Sequence, residues 1–333
     1  MHSPADPLDN RNVLVTGGTG AFGRAFVQYA LDQGARRVIV FSRGESAQAA
    51  MRAAFHEDDR LRFFIGDVRD LPRLRDAMRD VEICVHAAAL KRVEACEQDP
   101  SEAVATNIVG TQNVARAAIE CGVARAIFLS TDKAANPATL YGVTKLAAER
   151  LWIGSNIYAA GTGTRLSATR YGNVLGSTGS ILPLWRHQFE RGEPLVLTDA
   201  AATRFWMPMR DAVALVTLAL HTMRGGEVFV PRLGAAPILD LARAVVERAG
   251  PYAAGHVEIG LRGSEKLHEE LVTREEARRT FMFPTHYVIE PVARLWGAAT
   301  PPSAPLVPPR FQYRSNHAEP LTVADLRDMI DNP

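Results

Sequence analysis

Residues 12–42, NVLVTGGTGAFGRAFVQYALDQGARRVIVFS, place a β-branched apolar run, a glycine-rich turn, a helix-period stretch and a second apolar run in that order. Two such runs joined through a helix read as a βαβ unit with parallel strands. The glycines satisfy GxGxxG from Gly18 and the wider GxxGxxG through Gly17, Gly20 and Gly23. Glycine permits a tight turn and close backbone approach, so a pyrophosphate can rest on the N-terminus of the helix that follows. The unit predicts dinucleotide binding.

The same rhythm continues through the first half. LRFFIGD (61–67), EICVHAA (82–88), AIFLSTD (126–132) and LSATRYG (166–172) read as further strands, with long helical patterns at 102–122 and 141–158. A βα period of this kind predicts the α/β class, a doubly wound (Rossmann) parallel sheet over residues 11–175. After Gly172 the rhythm breaks. SILPLWRHQFERG (180–192) and MRDAVALVTLALHTM (209–223) read as helices and EVFVPRL (227–233) as a strand. These predict a smaller substrate-binding lobe over 176–298, with parts of 195–230 returning to the sheet. The proline-rich stretch 299–310 reads as an extended arm before a C-terminal helix at 322–330.

A net charge of +1 gives no electrostatic footprint for nucleic acid or an anionic membrane surface. No apolar run approaches the ~20 residues of a membrane helix. The polar start, MHSPADPLDNRN, lacks the apolar run of a signal peptide. Cys84, Cys96 and Cys121 form no CxxC pair and suit a reducing compartment, so a cytoplasmic protein is expected. No His, Cys or Asp spacing suggests a metal site.

The end of the second strand selects the dinucleotide. NAD sites usually place an acidic residue there for the ribose 2′-hydroxyl. This chain has Ser42 and Arg43, with Glu45 slightly too late. A hydroxyl and a guanidinium suit a 2′-phosphate, so NADP is expected and NAD less favoured. Asp67 and Val68, ending the third strand, are placed to meet the adenine. Ala87, Ala88 and Ala89, ending the fourth, are small enough to let the cofactor lie on the sheet edge.

Of 38 Lys+Arg, only four are lysine: Lys91, Lys133, Lys145 and Lys266. Arginine does not lose its proton in a protein, whereas lysine can. Two of the four fall in FLSTDKAANPATLYGVTK (128–145). Tyr141 and Lys145, at i and i+4, share one helix face. With seven tyrosines and four lysines, about 0.1 such pairs are expected by chance. A lysine cation beside a phenol lowers a pKa that is otherwise ~10. Tyr141 could then accept a proton from a sugar or alcohol hydroxyl while hydride leaves for a nicotinamide.

The glycine turn and the Tyr-x-x-x-Lys pair resemble those of the extended short-chain dehydrogenase/reductases. Within that family, VTGGTGAFGRAF, FFIGDVRDL, HAAALKRV, LSTDKAANP, LYGVTKLAAE, RYGNVLGSTGSILP, TRFW, GGEVFVP and EKLHE are similar to the C5-inverting UDP-N-acetylglucosamine 4,6-dehydratases over roughly 11–292. The resemblance implies oxidation at C4 of UDP-N-acetylglucosamine, loss of water across C5 and C6, and return of hydride to C6. It makes Lys133 the C5 base and Asp132 the C6 acid, beside Thr131, where retaining relatives are expected to read Thr-Asp-Glu. The implied dinucleotide contacts are Gly17, Thr19, Gly20, Ala21, Phe22, Gly23, Ser42, Arg43, Asp67, Val68, Ala87–Ala89, Lys91, Asn107, Tyr141 and Lys145. The implied substrate contacts are Lys91, Thr131, Tyr171, Asn173, Arg204, Arg262 and Glu265. His86 and His268 read as hydrogen-bonded interior histidines. Gly263–Ser264–Glu265–Lys266 stands where the family is expected to read Pro-Gly-Glu-Lys. The alternatives are a nucleotide-sugar 4-epimerase, which needs no C5 base, and a 4,6-dehydratase acting on a different UDP-sugar. Apolar residues on more than one face of 102–122 and 141–158 imply a homo-oligomer formed through those helices.

Overall fold

The computed structural model describes residues 6–177, 180–249, 254–297 and 302–332. Thr178 and Gly179 of the RYGNVLGSTGSILP motif and residues 299–301 of the expected arm lie outside the described residues.

Six parallel strands run in the spatial order β3-β2-β1-β4-β5-β6: β1 Asn12–Thr16, β2 Arg37–Ser42, β3 Leu61–Ile65, β4 Ile83–His86, β5 Arg125–Thr131 and β6 Arg165–Tyr171. The order reverses between β1 and β4, which opens a crevice at the carboxyl ends of the strands, the usual ligand position in such sheets. Beyond β6 the strand Val228–Pro231 adds in parallel, and His286–Ile289 and Thr280–Met282 follow antiparallel. That hairpin falls within the expected lobe by sequence but belongs to the large sheet.

The strands are apolar along their length because both faces are covered. On one face Leu14, Phe128 and Leu166 pack with Trp152, Val114 and Ala118 from the helices Leu140–Gly154 and Gly110–Glu120. On the other, Val13, Val15 and Ile127 pack with Phe26, Val27 and Val216 from the helices Ala21–Asp32 and Met209–Thr222. A separate apolar cluster holds the lobe, with Leu182, Trp185, Leu197, Trp206 and Leu241, closed by Leu326 and Ile330 of the C-terminal helix Val323–Asp331.

The arm runs along the outer strand: the Met282 N–H donates to Pro305 O (2.8 Å) and the Val307 N–H to Thr280 O (3.0 Å). It thereby covers an edge that would otherwise present unpaired backbone groups. The long helix at 102–122 is interrupted. A π-turn at Ala105–Val109 separates Pro100–Val104 from Gly110–Glu120. Gly110 is required there, because a Cβ would lie 2.6 Å from Val68 Cγ2.

One charged group lies at the centre of the assembly. Arg170 of β6 is fully buried and donates to both Glu149 oxygens (2.6 and 3.2 Å), to both Glu276 oxygens (2.8 and 2.9 Å) and to Leu271 O. The fork ties the Leu140–Gly154 helix, the sheet and the 271–276 segment together.

Candidate active site

The carboxyl ends of β1–β6 and the lobe enclose a cleft of about 1830 Å³. A single small ligand occupies ~300–1,000 Å³, so the space suits two elongated molecules end to end.

At one end the glycine turn forms the floor. Gly17 has φ +65°, and a Cβ on it would lie 2.9 Å from Ala88 Cα. A Cβ on Gly23 would meet Gly18 Cα at 2.5 Å, so the helix can approach the turn only at glycine. Gly20 caps the Ala21–Asp32 helix, whose N-terminus faces the cleft. This cradle fits a dinucleotide pyrophosphate. Ser42 and Arg43 line the cleft and Glu45 does not. The Ser42 hydroxyl accepts from Gln48 Nε2 (3.0 Å), while Arg43 stays more than half exposed, 4.0 Å from Glu102. Asp67 also lines the cleft, but its carboxylate is held by Arg69 (2.7 and 3.0 Å), whose guanidinium keeps it below the usual carboxylate range.

Asn107 departs from its expected place among the dinucleotide contacts. It lies on the π-turn, is almost wholly buried, and does not line the cleft. Its amide oxygen accepts from the Leu90 N–H (2.8 Å), and its NH₂ donates to Leu90 O and Thr144 Oγ1. It braces the loop after β4, where Lys91 lines the cleft, rather than touching a ligand itself. His86 behaves as read: buried, it shares hydrogen bonds with Thr16 Oγ1 (2.6 Å) and Thr111 Oγ1 (3.0 Å), and burial lowers its pKa to about 3. His268 is bonded to Thr203 Oγ1 at 2.9 Å.

The chemical end is assembled where β5 stops. Thr131 ends the strand and a 3-10 turn, Asp132–Ala134, follows. Asp132 is buried; its Oδ1 accepts from Thr131 Oγ1 (2.9 Å) and from Lys133 Nζ (3.0 Å), and its Oδ2 has no partner among the described residues. The turn packs on the start of the Leu140–Gly154 helix, where Thr139 Oγ1 accepts from the Gly142 N–H (3.0 Å) and a Cβ on Gly142 would lie 2.3 Å from Lys133 O. Tyr141, the residue before it, therefore faces the same cleft as Asp132 and Lys133.

The electrostatics differ from the sequence expectation. Lys145 Nζ is turned to the sheet, donating to Leu129 O (2.6 Å) over the Phe128 ring. Burial lowers its pKa to about 7, against the pull of Glu149. The Tyr141 phenol is not lowered: burial raises it to about 12, with Lys133 and Thr131 pulling the other way. Lys145, turned to the sheet, is not among the groups that lower the phenol, and desolvation outweighs the pull of those that do. Burial also opposes the charge on Lys133, yet Asp132 and Glu269 (3.4 Å away) more than offset it and raise its pKa.

On the lobe side, Tyr171 pairs with Thr131 across β5 and β6 and lines the cleft with Asn173. Gly172 between them lets Phe205 approach, since a Cβ would meet Phe205 Cβ at 2.6 Å. Arg204 and Glu265 bind each other (2.6 Å), and Arg204 also donates to Thr203 O and Leu267 O. Arg262 reaches across the mouth to pair with Glu94. Lys266 donates to Ala135 O (2.7 Å). The sequence reading missed Glu269, buried in the cleft wall, although it stands in the quoted EKLHE motif.

A doubly wound sheet with this turn at one end and a tyrosine–lysine helix at the other is the architecture of the extended short-chain dehydrogenase/reductases. Comparison with known sequences and structures places the chain within them. It belongs to the family described as polysaccharide biosynthesis protein, which matches residues 13–291. A Campylobacter jejuni UDP-N-acetylglucosamine 4,6-dehydratase (inverting) is 42% identical over 86% of this chain and 85% of its own. A Rickettsia prowazekii UDP-glucose 4-epimerase is 41% identical over 80% and 79%. Among solved structures, Pen from Bacillus thuringiensis superimposes with a TM-score of 0.89 at 34% identity over 98% and 99% of the two chains. The dTDP-glucose 4,6-dehydratase DesIV from Streptomyces venezuelae, solved with NAD and TYD bound, gives 0.70 at 27% over 77% and 86%. No helix among the described residues is long and apolar enough to cross a membrane.

Proposed function

We propose that the chain dehydrates UDP-N-acetylglucosamine to a UDP-2-acetamido-2,6-dideoxy-4-keto-hexose with inversion at C5. The observation that carries the reading is the Asp132–Lys133 pair, 3.0 Å apart at the end of β5 and facing the same cleft as Tyr141. Tyr141, once its phenol has given up its own proton, a loss that Lys133 and Thr131 favour, takes the proton of the C4 hydroxyl. A bound nicotinamide dinucleotide supplies the hydride acceptor at C4 and the donor at C6. The 4-keto sugar has an acidic C5–H. Lys133 removes that proton while Asp132 protonates the departing C6 hydroxyl, and water leaves.

Held as a cation between carboxylates, Lys133 is not yet a base. Transfer of its proton to Asp132 gives an amine and a carboxylic acid at once, so a single shift arms both members. Reprotonation of C5 from the opposite face inverts that centre. A 4-epimerase, the name carried by the Rickettsia relative, needs Tyr141 but neither of these two groups. Incubation with UDP-N-acetylglucosamine in D₂O, followed by NMR, decides between them. The dehydratase gives a C6 methyl signal, deuterium at C5 and the inverted configuration, whereas a C4 epimer with C6 intact refutes the reading.

NADP is the proposed dinucleotide, supported by Ser42 and Arg43 at the cleft and by Glu45 lying outside it. Arg43→Ala is expected to raise the dissociation constant for NADP roughly tenfold, with that for NAD little changed. An equal effect on both refutes the preference. Exposed Val104, Val109, Val143 and Leu151 on the 100–120 and 140–154 segments support association of two copies through those helices.

A further inference from the structure

Glu269 is a carboxylate that the acid–base scheme does not use. Its side chain is 4% exposed, yet it borders the cleft. Its Oε1 lies 3.4 Å from Lys133 Nζ and 3.9 Å from Arg204 Nε, and its buried Oε2 has no partner among the described residues. The backbone on which it stands is fixed on both sides: its N–H donates to Ser315 Oγ and its C=O accepts from the Ser315 N–H, both at 2.9 Å. A partner for Arg204 alone is not what this placement describes. Arg204 already has Glu265 at 2.6 Å, and Lys133 is nearer to Glu269 than Arg204 is.

The charged groups around Lys133 come from four elements. Asp132 shares its turn, Tyr141 faces it from the helix, and Arg204 comes from the strand Thr203–Met207. Lys266 and Glu269 come from the segment that closes the cleft, and Glu270 beside them acts on Lys266. Two carboxylates, Asp132 and Glu269, flank the single Lys133 ammonium. The elimination gives these two carboxylates different duties. When the C5–H bond breaks, its electron pair forms the C5–C6 double bond and its proton forms an N–H bond on Lys133. When the C6–O bond breaks, the oxygen keeps that electron pair and takes a proton from Asp132, leaving as water. At that moment Lys133 is again a cation. Asp132 has then just given its proton to the departing hydroxyl, and Glu269 is the second carboxylate within reach of that cation.

On the dehydratase reading above, we propose that Glu269 is a positioning residue. Standing 3.4 Å from Lys133 Nζ, it is a second anchor beside Asp132 and offsets the charge Lys133 gains from C5 while Asp132 serves C6.

The test is the pH dependence of dehydration by the full chain with its dinucleotide and UDP-N-acetylglucosamine. Removing the negative charge in Glu269→Gln lets Lys133 lose its last proton more easily, so both limbs of the kcat profile are expected to move to lower pH. A neighbouring charge shifts such a profile by about 1–3 units. The maximum should fall roughly 10- to 100-fold with KM little changed, and deuterium entry at C5 should fall in parallel. Glu269→Asp keeps the charge but draws it away from Lys133, so its profile should stay at the wild-type pH with a reduced maximum. An unshifted profile in Glu269→Gln overturns the proposal, even if that variant is slow. Should the glutamine variant not fold, Glu269→Asp decides, and a maximum within twofold of wild type overturns it. The wild-type arm separates the two claims: if it forms no C6 methyl product, the dehydratase reading has failed rather than the role of Glu269.

Discussion

Gly142→Ala isolates the contact that brings the acid–base turn onto the helix. The added Cβ would sit 2.3 Å from Lys133 O and 3.0 Å from Pro137 Cβ. The first partner is backbone and cannot swing aside, so the Asp132–Ala134 turn has to retreat by about 1 Å to restore an ordinary contact. Overpacking of this kind costs ~1–3 kcal/mol, while replacing a helical glycine returns ~0.5–1 kcal/mol. The net loss of stability is therefore small, about 0–2.5 kcal/mol. Catalysis is more sensitive, because a 1 Å displacement of reacting groups costs about 10²-fold. Chemical denaturation and kcat for dehydration, measured on one preparation, should show a modest loss in the first and a large loss in the second. A kcat within threefold of wild type would refute the argument that Gly142 sets the position of Lys133.

Arg170→Met removes the cation between Glu149 and Glu276 and leaves two buried carboxylates. Breaking such a network costs ~3–5 kcal/mol, to be read from the urea midpoint, and a change below about 1 kcal/mol would show that Arg150 and Arg279 compensate. Lys145 has a folded-state pKa of about 7, below the 10.5 it has when exposed. The unfolded chain then binds more protons between those values, so this group makes stability rise with pH from about 7 to about 10.5. Lys145→Met should raise the melting temperature most near pH 7, with the gain shrinking toward pH 10; a gain independent of pH contradicts the burial argument.

The βα rhythm was legible because each strand of a doubly covered sheet is apolar on both faces, and β1 to β6 fall within one or two residues of the runs that announce them. The hairpin Thr280–Met282 and His286–Ile289 gave no comparable sign. Its strands are three and four residues long, and what makes them strands is the free edge left by Val228–Pro231 and the arm that covers the far side. Asn107 was misplaced for a related reason. A π-turn rotates a side chain away from its α-helical direction, and no residue type marks one. Glu269 stands 136 residues after Lys133, so only the folded chain shows that the two face each other.

The scarcity of lysine finds its physical reason in the cleft. Lys91, Lys133, Lys145 and Lys266 all line it. Burial lowers the pKa of Lys91, Lys145 and Lys266, the last two against nearby carboxylates, whereas at Lys133 the carboxylates win. Arginine would remain charged in each of these settings and could take no part in proton transfer. At Arg170 the demand is reversed: a permanent cation with a planar fork satisfies two buried carboxylates, and a lysine there could lose its charge and leave them unpaired. The choice between the two cations thus follows whether the site must keep its proton or be able to release it. Lys133 is the position where both demands meet. On the proposed mechanism Asp132, 3.0 Å away, receives its proton, and Glu269, 3.4 Å away, holds the charge when it returns.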